Sequence, residues 1–259
     1  IVEKEREIKN FTSKSSYKLI GVYETEDGVK LKAELNEKYS SVDEVKQFCE
    51  KNYDSKFNVA SVEKKPAKKS PTPPFTTSTL QQEASRKLGF GVTRTMSTAQ
   101  KLYEAGLITY MRTDSVTISN DAKSSIVEKI ESKYGKEYVN IRNYKNKNKS
   151  AQEAHEAIRP TDIGVEEITS DYDQQRLYDL IWKRTISSQM SDAQIERTVV
   201  NINSSLYSQF FVARGEVIIF DGFLRVYNEG TDDEIEEEKG VLPALNFDET
   251  LNLLNISSR

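Results

Sequence analysis

Residues 63–74 (EKKPAKKSPTPP) separate two parts of the chain that carry different hydrophobic periods. This short stretch holds four of the six prolines in the 259-residue sequence. Proline has no backbone N–H and a fixed φ, so it interrupts a helix interior and is kept out of central strands. We therefore predict an exposed linker here, with a domain boundary inside it.

The sequence before this linker alternates as β-strands do. Residues 17–24 and 29–35 are β-patterned and flank an Asp-Gly pair, which is a strong hairpin signal. A capping box beginning at Ser41 predicts a short helix, and residues 57–62 return as a strand. After residue 197 the β pattern resumes in four runs, at residues 198–202, 209–213, 216–220 and 223–227.

Between these two β-patterned regions the hydrophobic period is helical. We predict helices near residues 78–88, 94–105, 119–130 and 171–190. The first two are joined by a tight Gly-Phe-Gly turn and resemble a helix-turn-helix. The sequence therefore predicts an α+β protein in which an all-helical domain, residues 70–196, is inserted into a β-rich domain made of residues 1–69 and 197–259.

Composition excludes several classes of protein. A single cysteine, Cys49, and a single histidine, His155, exclude a disulfide framework and Cys-rich or His-rich metal sites. No apolar run approaches the roughly 18 residues needed to cross a bilayer, so we exclude membrane insertion. The net charge of -4 means that contact with nucleic acid must come from a local patch. The acidic run at residues 231–238 is interpreted as a solvated loop.

Residues 107–111 (LITYM) are too few and too β-prone for a helix, so we interpret this stretch as extended chain. Side chains in extended chain repeat every two residues, so Tyr110 and Arg112 face one side and Met111 faces the other. A phenol is almost wholly protonated at neutral pH, so a nucleophilic tyrosine needs a nearby cation. Arg112 meets that need, because its planar guanidinium can hold two phosphate oxygens and never loses its charge.

Three long stretches are not explained by packing alone: PFTTSTLQQEAS at 74–85, LYEAGLITYMRTDS at 102–115 and AQEAHEAIRPTD at 151–162. Together they closely resemble the type IA DNA topoisomerases, in particular the bacterial topoisomerase I branch of that family. The resemblance covers nearly the whole chain. It implies a central fragment that lacks the family's Toprim domain and C-terminal region, in which the β-rich domain is the arch.

The resemblance also implies roles for individual residues. Tyr110 takes the position of the tyrosine that becomes linked to the 5′ phosphate of a cut DNA strand, and Arg112 that of its supporting arginine. His155 takes the position of a histidine close to the cleaved strand, where imidazole can donate a hydrogen bond or move a proton. Met111 and Arg159 join Arg112 and His155 as expected DNA contacts, and Arg159 would share a helix face with His155 if the chain were helical there.

A cofactor and partners follow from the same resemblance. We expect an ATP-independent enzyme that cuts one DNA strand at a single-stranded segment, passes a strand through the gap and reseals it, relaxing negatively supercoiled duplex. It is expected to be monomeric and cytoplasmic, with no membrane partner. Mg²⁺ is the expected cofactor, held by residues outside this chain. The chain alone is therefore expected to be inactive.

Other interpretations fit the same residues. A non-catalytic helix-turn-helix module would bind duplex DNA while Tyr110 only packs, and a topoisomerase III-type enzyme would decatenate DNA. Arg112 could make an ordinary ion pair with Asp114 or Glu104. A fully buried Tyr110 with its hydroxyl bonded to backbone would favour a scaffold role, whereas a nucleophile should share one exposed face with Arg112 and His155.

Overall fold

The structure is a computed structural model of the chain, and it describes residues 1–11, 16–52, 54–145, 155–168, 171–228 and 242–259. Its helices are α1 (Val2–Asn10), α2 (Val42–Lys51), α3 (Thr77–Glu83), α4 (Val92–Glu104), α5 (Asn120–Tyr134) and α6 (Tyr172–Ser188). Its strands are β1 (Tyr17–Glu24), β2 (Lys30–Tyr39), β3 (Phe57–Lys69), β4 (Ala193–Ser204), β5 (Tyr207–Phe220) and β6 (Thr250–Ser258). The predicted α+β class is confirmed. The acidic run at residues 231–238 lies outside the described residues.

The strands close into a barrel in the order β1-β2-β5-β4-β3-β6. β1 pairs antiparallel with β2 and β6, and the β1–β2 hairpin turns at Gly28, whose φ of +78° suits glycine. Alternate side chains are buried along both strands. Tyr23, Phe57 and Phe211 meet edge to face inside, with ring centroids 5.3, 5.5 and 6.1 Å apart.

A second hydrophobic core lies among α3, α4, α5 and α6. α6 begins at Asp171, whose carboxylate accepts a hydrogen bond from Gln174 N–H at 2.9 Å. α3 continues into one π-helical turn and ends at Gly89, whose φ of +67° stops the helix. Phe75 leads into α3 and is fully buried in this core. The burial of Phe75 therefore anchors the chain just before α3 to the helical core.

The chain divides into two compact units. One comprises the described residues of Ile1–Pro66, Glu196–Val217 and Glu238–Arg259 and contains the barrel core. The other comprises those of Ala67–Ile195 and Ile218–Glu237 and contains the helical core. Three of the divisions fall within β3, β4 and β5, so each of these strands contributes residues to both units.

The predicted linker is wrong over its first half. Residues 63–69 continue β3, and residues 70–76 alone connect this strand to α3. β3 pairs with β6 at Phe57 and Asn58, so Pro66 lies beyond that pairing and its missing N–H removes no bond there. The charged residues in this part of the strand are largely exposed, which makes their composition compatible with a strand.

Some predicted strands also differ from the observed elements. Residues 209–213 and 216–220 form one strand, β5, instead of two. Residues 223–227 were expected to be a strand, but Gly222–Arg225 forms a 3-10 turn. Gly222 has a φ of +50°, which ends the strand, and the apolar residues after it are spaced as on a helical turn. The sequence patterns did not predict α1 or β6.

Tyr23 generates a stability prediction. Its hydroxyl is buried with no hydrogen-bond partner among the described residues, and burial raises the pKa of this phenol strongly. An unsatisfied buried hydroxyl costs about 1–3 kcal/mol, so Tyr23→Phe should raise the free energy of unfolding of the barrel unit by about 1 kcal/mol in a urea titration.

Tyr178→Phe is the matched contrast. The Tyr178 hydroxyl donates to Val165 O at 2.8 Å. Its removal should lower the free energy of unfolding by about 1 kcal/mol, because the hydrogen bond to Val165 is lost. A Tyr23→Phe protein less stable than the wild type would contradict the prediction.

Candidate active site

The extended chain after α4 carries Tyr110 and Arg112. Exposed and buried side chains alternate along it: Tyr110, Arg112 and Asp114 are exposed, and Met111, Thr113 and Ser115 are buried. This is the two-residue repeat of extended chain. Tyr110 and Arg112 therefore share the exposed side of the segment.

Backbone pairing brings a second extended segment alongside. Thr109 donates its N–H to Arg159 O at 2.9 Å and its hydroxyl to Ala157 O at 2.7 Å. This pairing carries His155 to the side of Tyr110. Their rings stand at 81° to each other with centroids 6.3 Å apart. Two of the predicted site residues, distant in sequence, are thus neighbours.

Tyr110 and His155 line an open pocket of about 450 Å³, and its other lining residues are Tyr103, Thr109, Thr113 and Glu156. The Tyr110 side chain is 43% exposed, and the Tyr103 ring meets it edge to face at 5.3 Å. The Tyr110 hydroxyl makes no hydrogen bond to any residue that the structure describes. It is therefore accessible to a ligand, which a packing role would not require.

Arg112 is an exposed cation two residues beyond Tyr110. Within the described ranges its guanidinium makes no ion pair and no hydrogen bond. The alternative pairing with Asp114 or Glu104 is therefore not present. An unpaired planar guanidinium is suited to holding two oxygens of a phosphate.

Arg159 lies in a different environment from the one expected. Residues 155–160 are extended, so Arg159 and His155 do not share a helix face. The pairing with Thr109 and the proline after Arg159 both disfavour a helix. The guanidinium of Arg159 is held by the Glu156 carboxylate at 2.6 and 3.1 Å. Its side chain is 14% exposed and lines another pocket, of about 120 Å³.

Met111 is buried in the helical core, with 1% of its surface exposed. Its side chain therefore faces the core and not the side that carries Tyr110, and a DNA contact at Met111 stays a prediction. The reason is the alternation of the segment, which presents Tyr110 and Arg112 to solvent by turning Met111 inward.

Glu156 fixes the segment that carries His155. Its carboxylate accepts a hydrogen bond from Ser119 N–H at 2.7 Å and binds the Arg159 guanidinium. Burial acts to raise the pKa of Glu156, but the Ser119 hydrogen bond and the Arg159 charge outweigh it and hold the pKa below its ordinary value. The carboxylate is thus ionised at neutral pH and ties α5 to this segment.

Sequence reasoning missed four residues that build the site: Tyr103, Thr109, Glu156 and Thr77. Thr77 holds the other edge of the Tyr110 segment, because its N–H donates to Thr113 O and its hydroxyl accepts from Thr113 N–H, both at 2.9 Å. The four share one sequence signal, their place in the three long stretches. Helix and strand periods do not reveal them, because their polar groups serve segments far away along the chain.

Two features are absent from the residues that the structure describes. They contain no group of three or more His, Cys, Asp or Glu side chains that could hold a metal ion. No step of the chemistry below is derived through a metal. The same residues also contain no helix that is long and apolar enough to cross a membrane.

A family profile and several known proteins match this chain. The sequence profile of the family described as DNA topoisomerase matches residues 1–259. A DNA topoisomerase 1 from Rickettsia felis is 43% identical over 99% of this chain and 36% of its own length. One from Zymomonas mobilis subsp. mobilis is 49% identical over 71% of this chain and 15% of its own length. The solved structure of full-length topoisomerase I from Thermotoga maritima is similar with a TM-score of 0.76 at 31% identity, over 99% of this chain and 42% of that one.

This chain aligns with less than half of the length of these relatives. The chain spans 36% of the length of the Rickettsia felis relative and 42% of the Thermotoga maritima structure. Sequence outside the matched region therefore contributes most of the length of these relatives. What the complete proteins do does not follow from the matched region alone.

Glu156 generates a prediction on pH. Because folding lowers the pKa of Glu156, its stabilisation is full above the unfolded pKa of about 4.3 and is lost as the pH falls through the folded value. Glu156→Gln should therefore lower the free energy of unfolding by about 1 kcal/mol near neutral pH. The deficit should shrink in urea titrations carried out below about pH 4.

Glu167→Gln is the control for this measurement. Glu167 is exposed and has no ion pair or hydrogen bond in the described part of the chain. The same substitution there should change stability at neither pH. If Glu156→Gln lowered the free energy of unfolding equally at both pH values, the shape of the Glu156 side chain and not its charge would stabilise the segment.

Proposed function

This chain belongs to the DNA topoisomerase family, and from that premise we propose that it carries the DNA-cleaving tyrosine, Tyr110, of a type IA enzyme that relaxes negatively supercoiled DNA without ATP. The observation that carries the proposal is an exposed Tyr110, its hydroxyl unbonded within the described residues, beside His155 in an open pocket. An exposed and unpaired Arg112 lies on the same side. The name DNA topoisomerase 1 of the relatives favours this activity over a topoisomerase III-type decatenase.

The proposed step is a transesterification. Tyr110 Oη forms a bond to the phosphorus of one DNA strand, and the bond from that phosphorus to the 3′ oxygen breaks. The phenol loses its proton and the departing 3′ oxygen gains one. One phosphate ester replaces another, so the 3′ hydroxyl can reverse the reaction without ATP. The 5′ end stays linked to Tyr110 while another strand passes through the gap.

Arg112 and His155 supply the electrostatic support that this step needs. Negative charge is concentrated on the phosphoryl oxygens in the transition state of the transfer. Hydrogen-bond donors that are already in place lower the free energy of that transition state. The Arg112 guanidinium can hold two of these oxygens. The His155 imidazole can donate a hydrogen bond to the same phosphate or take the proton of the phenol.

The pocket favours single-stranded DNA as the substrate. Tyr103, Tyr110 and His155 place three aromatic rings around a pocket of about 450 Å³. Aromatic rings stack on unpaired bases of any sequence, whereas bases inside a duplex are already stacked on each other. An unpaired segment at the cleavage site would therefore gain stacking that a duplex could not.

For the whole protein the proposal has three further parts. Magnesium is required and is held by residues outside this chain, the enzyme acts as a monomer, and it works in the cytoplasm. Because the proposed magnesium ligands lie outside this chain, the chain alone should bind DNA without cleaving it efficiently.

Tyr110→Phe tests the nucleophile. The chain is joined to the remaining segments of its longer relatives and incubated with magnesium and a labelled single-stranded oligonucleotide. A denaturing gel should show a covalent adduct for the wild type and none for Tyr110→Phe, while noncovalent binding is largely unchanged. Tyr172→Phe is the control, because it makes the same change on a tyrosine that is 74% exposed and outside the pocket.

The outcomes separate the alternatives. An adduct that persists in Tyr110→Phe would refute the assignment of Tyr110. DNA binding by the wild type with no adduct at all would favour the non-catalytic helix-turn-helix module.

Arg112 and Arg159 should differ in the salt dependence of oligonucleotide binding. Each phosphate contact to a single strand contributes about 0.7 to the slope of log affinity against log salt. Arg112→Ala should reduce the slope by about that amount in fluorescence anisotropy titrations. Arg159→Ala should leave the slope unchanged, because the Arg159 guanidinium is occupied by Glu156. Equal reductions in both variants would contradict the assignment of Arg112 as the phosphate contact.

A further inference from the structure

Thr77, the first residue of α3, contacts the chain on both sides of Arg112. Its hydroxyl lies 2.8 Å from Met111 O and 3.1 Å from Thr113 O, and it accepts a hydrogen bond from Thr113 N–H at 2.9 Å. The backbone N–H of Thr77 also donates to Thr113 O at 2.9 Å. One residue therefore engages peptide groups before and after Arg112.

Thr77 is itself held in place by its neighbours. Thr76 and Thr79 form a capping box at the start of α3, in which the Thr79 hydroxyl accepts from Thr76 N–H at 2.9 Å. Phe75 and Leu80 are fully buried in the helical core. The Thr77 hydroxyl is therefore presented from a fixed point in the helical core.

The chemistry of a hydroxyl suits this position. It can donate its one proton to a carbonyl and accept from an amide at the same time. Valine has almost the same shape but can do neither, so it would leave Thr113 N–H and Met111 O without this partner. Met111 O and Thr113 N–H belong to the peptide groups on either side of Arg112. Since side chains alternate along extended chain, a twist of the backbone at these two groups changes the direction of the Arg112 side chain.

We propose that Thr77 is a positioning residue for Arg112, in that its hydroxyl sets the direction in which the guanidinium meets the phosphodiester. The inference rests on the proposed function, because the direction of Arg112 affects the reaction only if Arg112 holds the phosphate. Thr77 does not touch DNA in this scheme. Loss of its hydroxyl should slow bond breaking and resealing much more than it weakens noncovalent binding.

A double-mutant cycle tests the link to Arg112. The rate of adduct formation is measured at saturating oligonucleotide in the chain joined to the remaining segments of its relatives, so that rate and affinity are separated. Thr77→Val should slow this rate about ten-fold, and Thr77→Ser, which keeps the hydroxyl, should restore most of it. In an Arg112→Ala background Thr77→Val should cause little further slowing, because residues that act through one another are not additive. Equal slowing in both backgrounds would overturn the proposal.

Amide hydrogen exchange at Thr113 gives a readout that needs no DNA. The Thr113 N–H donates to the Thr77 hydroxyl, so Thr77→Val should speed its exchange about ten-fold, and Thr77→Ser should not. Thr95→Val is the matched control, because the buried Thr95 hydroxyl donates to the carbonyl of Gly91, the residue before α4, at 3.1 Å. That control should alter neither the exchange of Thr113 nor the adduct rate. Unchanged exchange in Thr77→Val would also overturn the proposal.

These measurements separate failure of the inference from failure of the proposed function. If Tyr110→Phe still forms the adduct, the proposed function fails, whatever the exchange at Thr113 shows. If Tyr110→Phe removes the adduct and Thr77→Val is as fast as the wild type, the inference about Thr77 alone fails.

Discussion

Extended chain that lies outside a sheet must still find partners for its N–H and C=O groups, and this requirement organises the site. The segment that carries Tyr110 is bonded along one edge by the segment around Ala157 and along the other edge by Thr77. Two threonine hydroxyls, of Thr109 and Thr77, do part of what a neighbouring strand would do. Tyr110 and Arg112 are therefore held from both edges while their side chains remain exposed.

The same framework decides which arginines are available to a phosphate. Glu156 holds Arg159, and Asp173 holds Arg94 through two hydrogen bonds at 2.7 and 2.8 Å. By contrast, Arg112 is exposed and has no partner in the described ranges. Its charge raises the local potential beside Tyr110 although the net charge of the chain is negative.

Elements with local causes could be predicted from the sequence, and those with distant causes could not. The hairpin at Gly28, the helix capped by Ser41 and the alternation at Tyr110 depend on residues a few positions apart. β3, which extends to Lys69, lies between β4 and β6 in the barrel, and the extended chain at His155 is bonded by Thr109, so both depend on partners far along the sequence. Composition and period carry no information about such partners, so the first half of the predicted linker is wrong and the condition for a helix face shared by His155 and Arg159 is not met.

Distant partners also explain why the recognisable stretches are much longer than the chemistry requires. The proposed reaction involves Tyr110, Arg112 and His155, yet each stretch also contributes a residue that holds the framework. Thr77 comes from the first stretch, Thr109 from the second and Glu156 from the third. A Tyr-x-Arg sequence alone cannot specify this arrangement, because the bonds that orient it are made by residues in the other two stretches. The length of the resemblance therefore reflects the residues that position Tyr110 and Arg112 more than these two residues themselves.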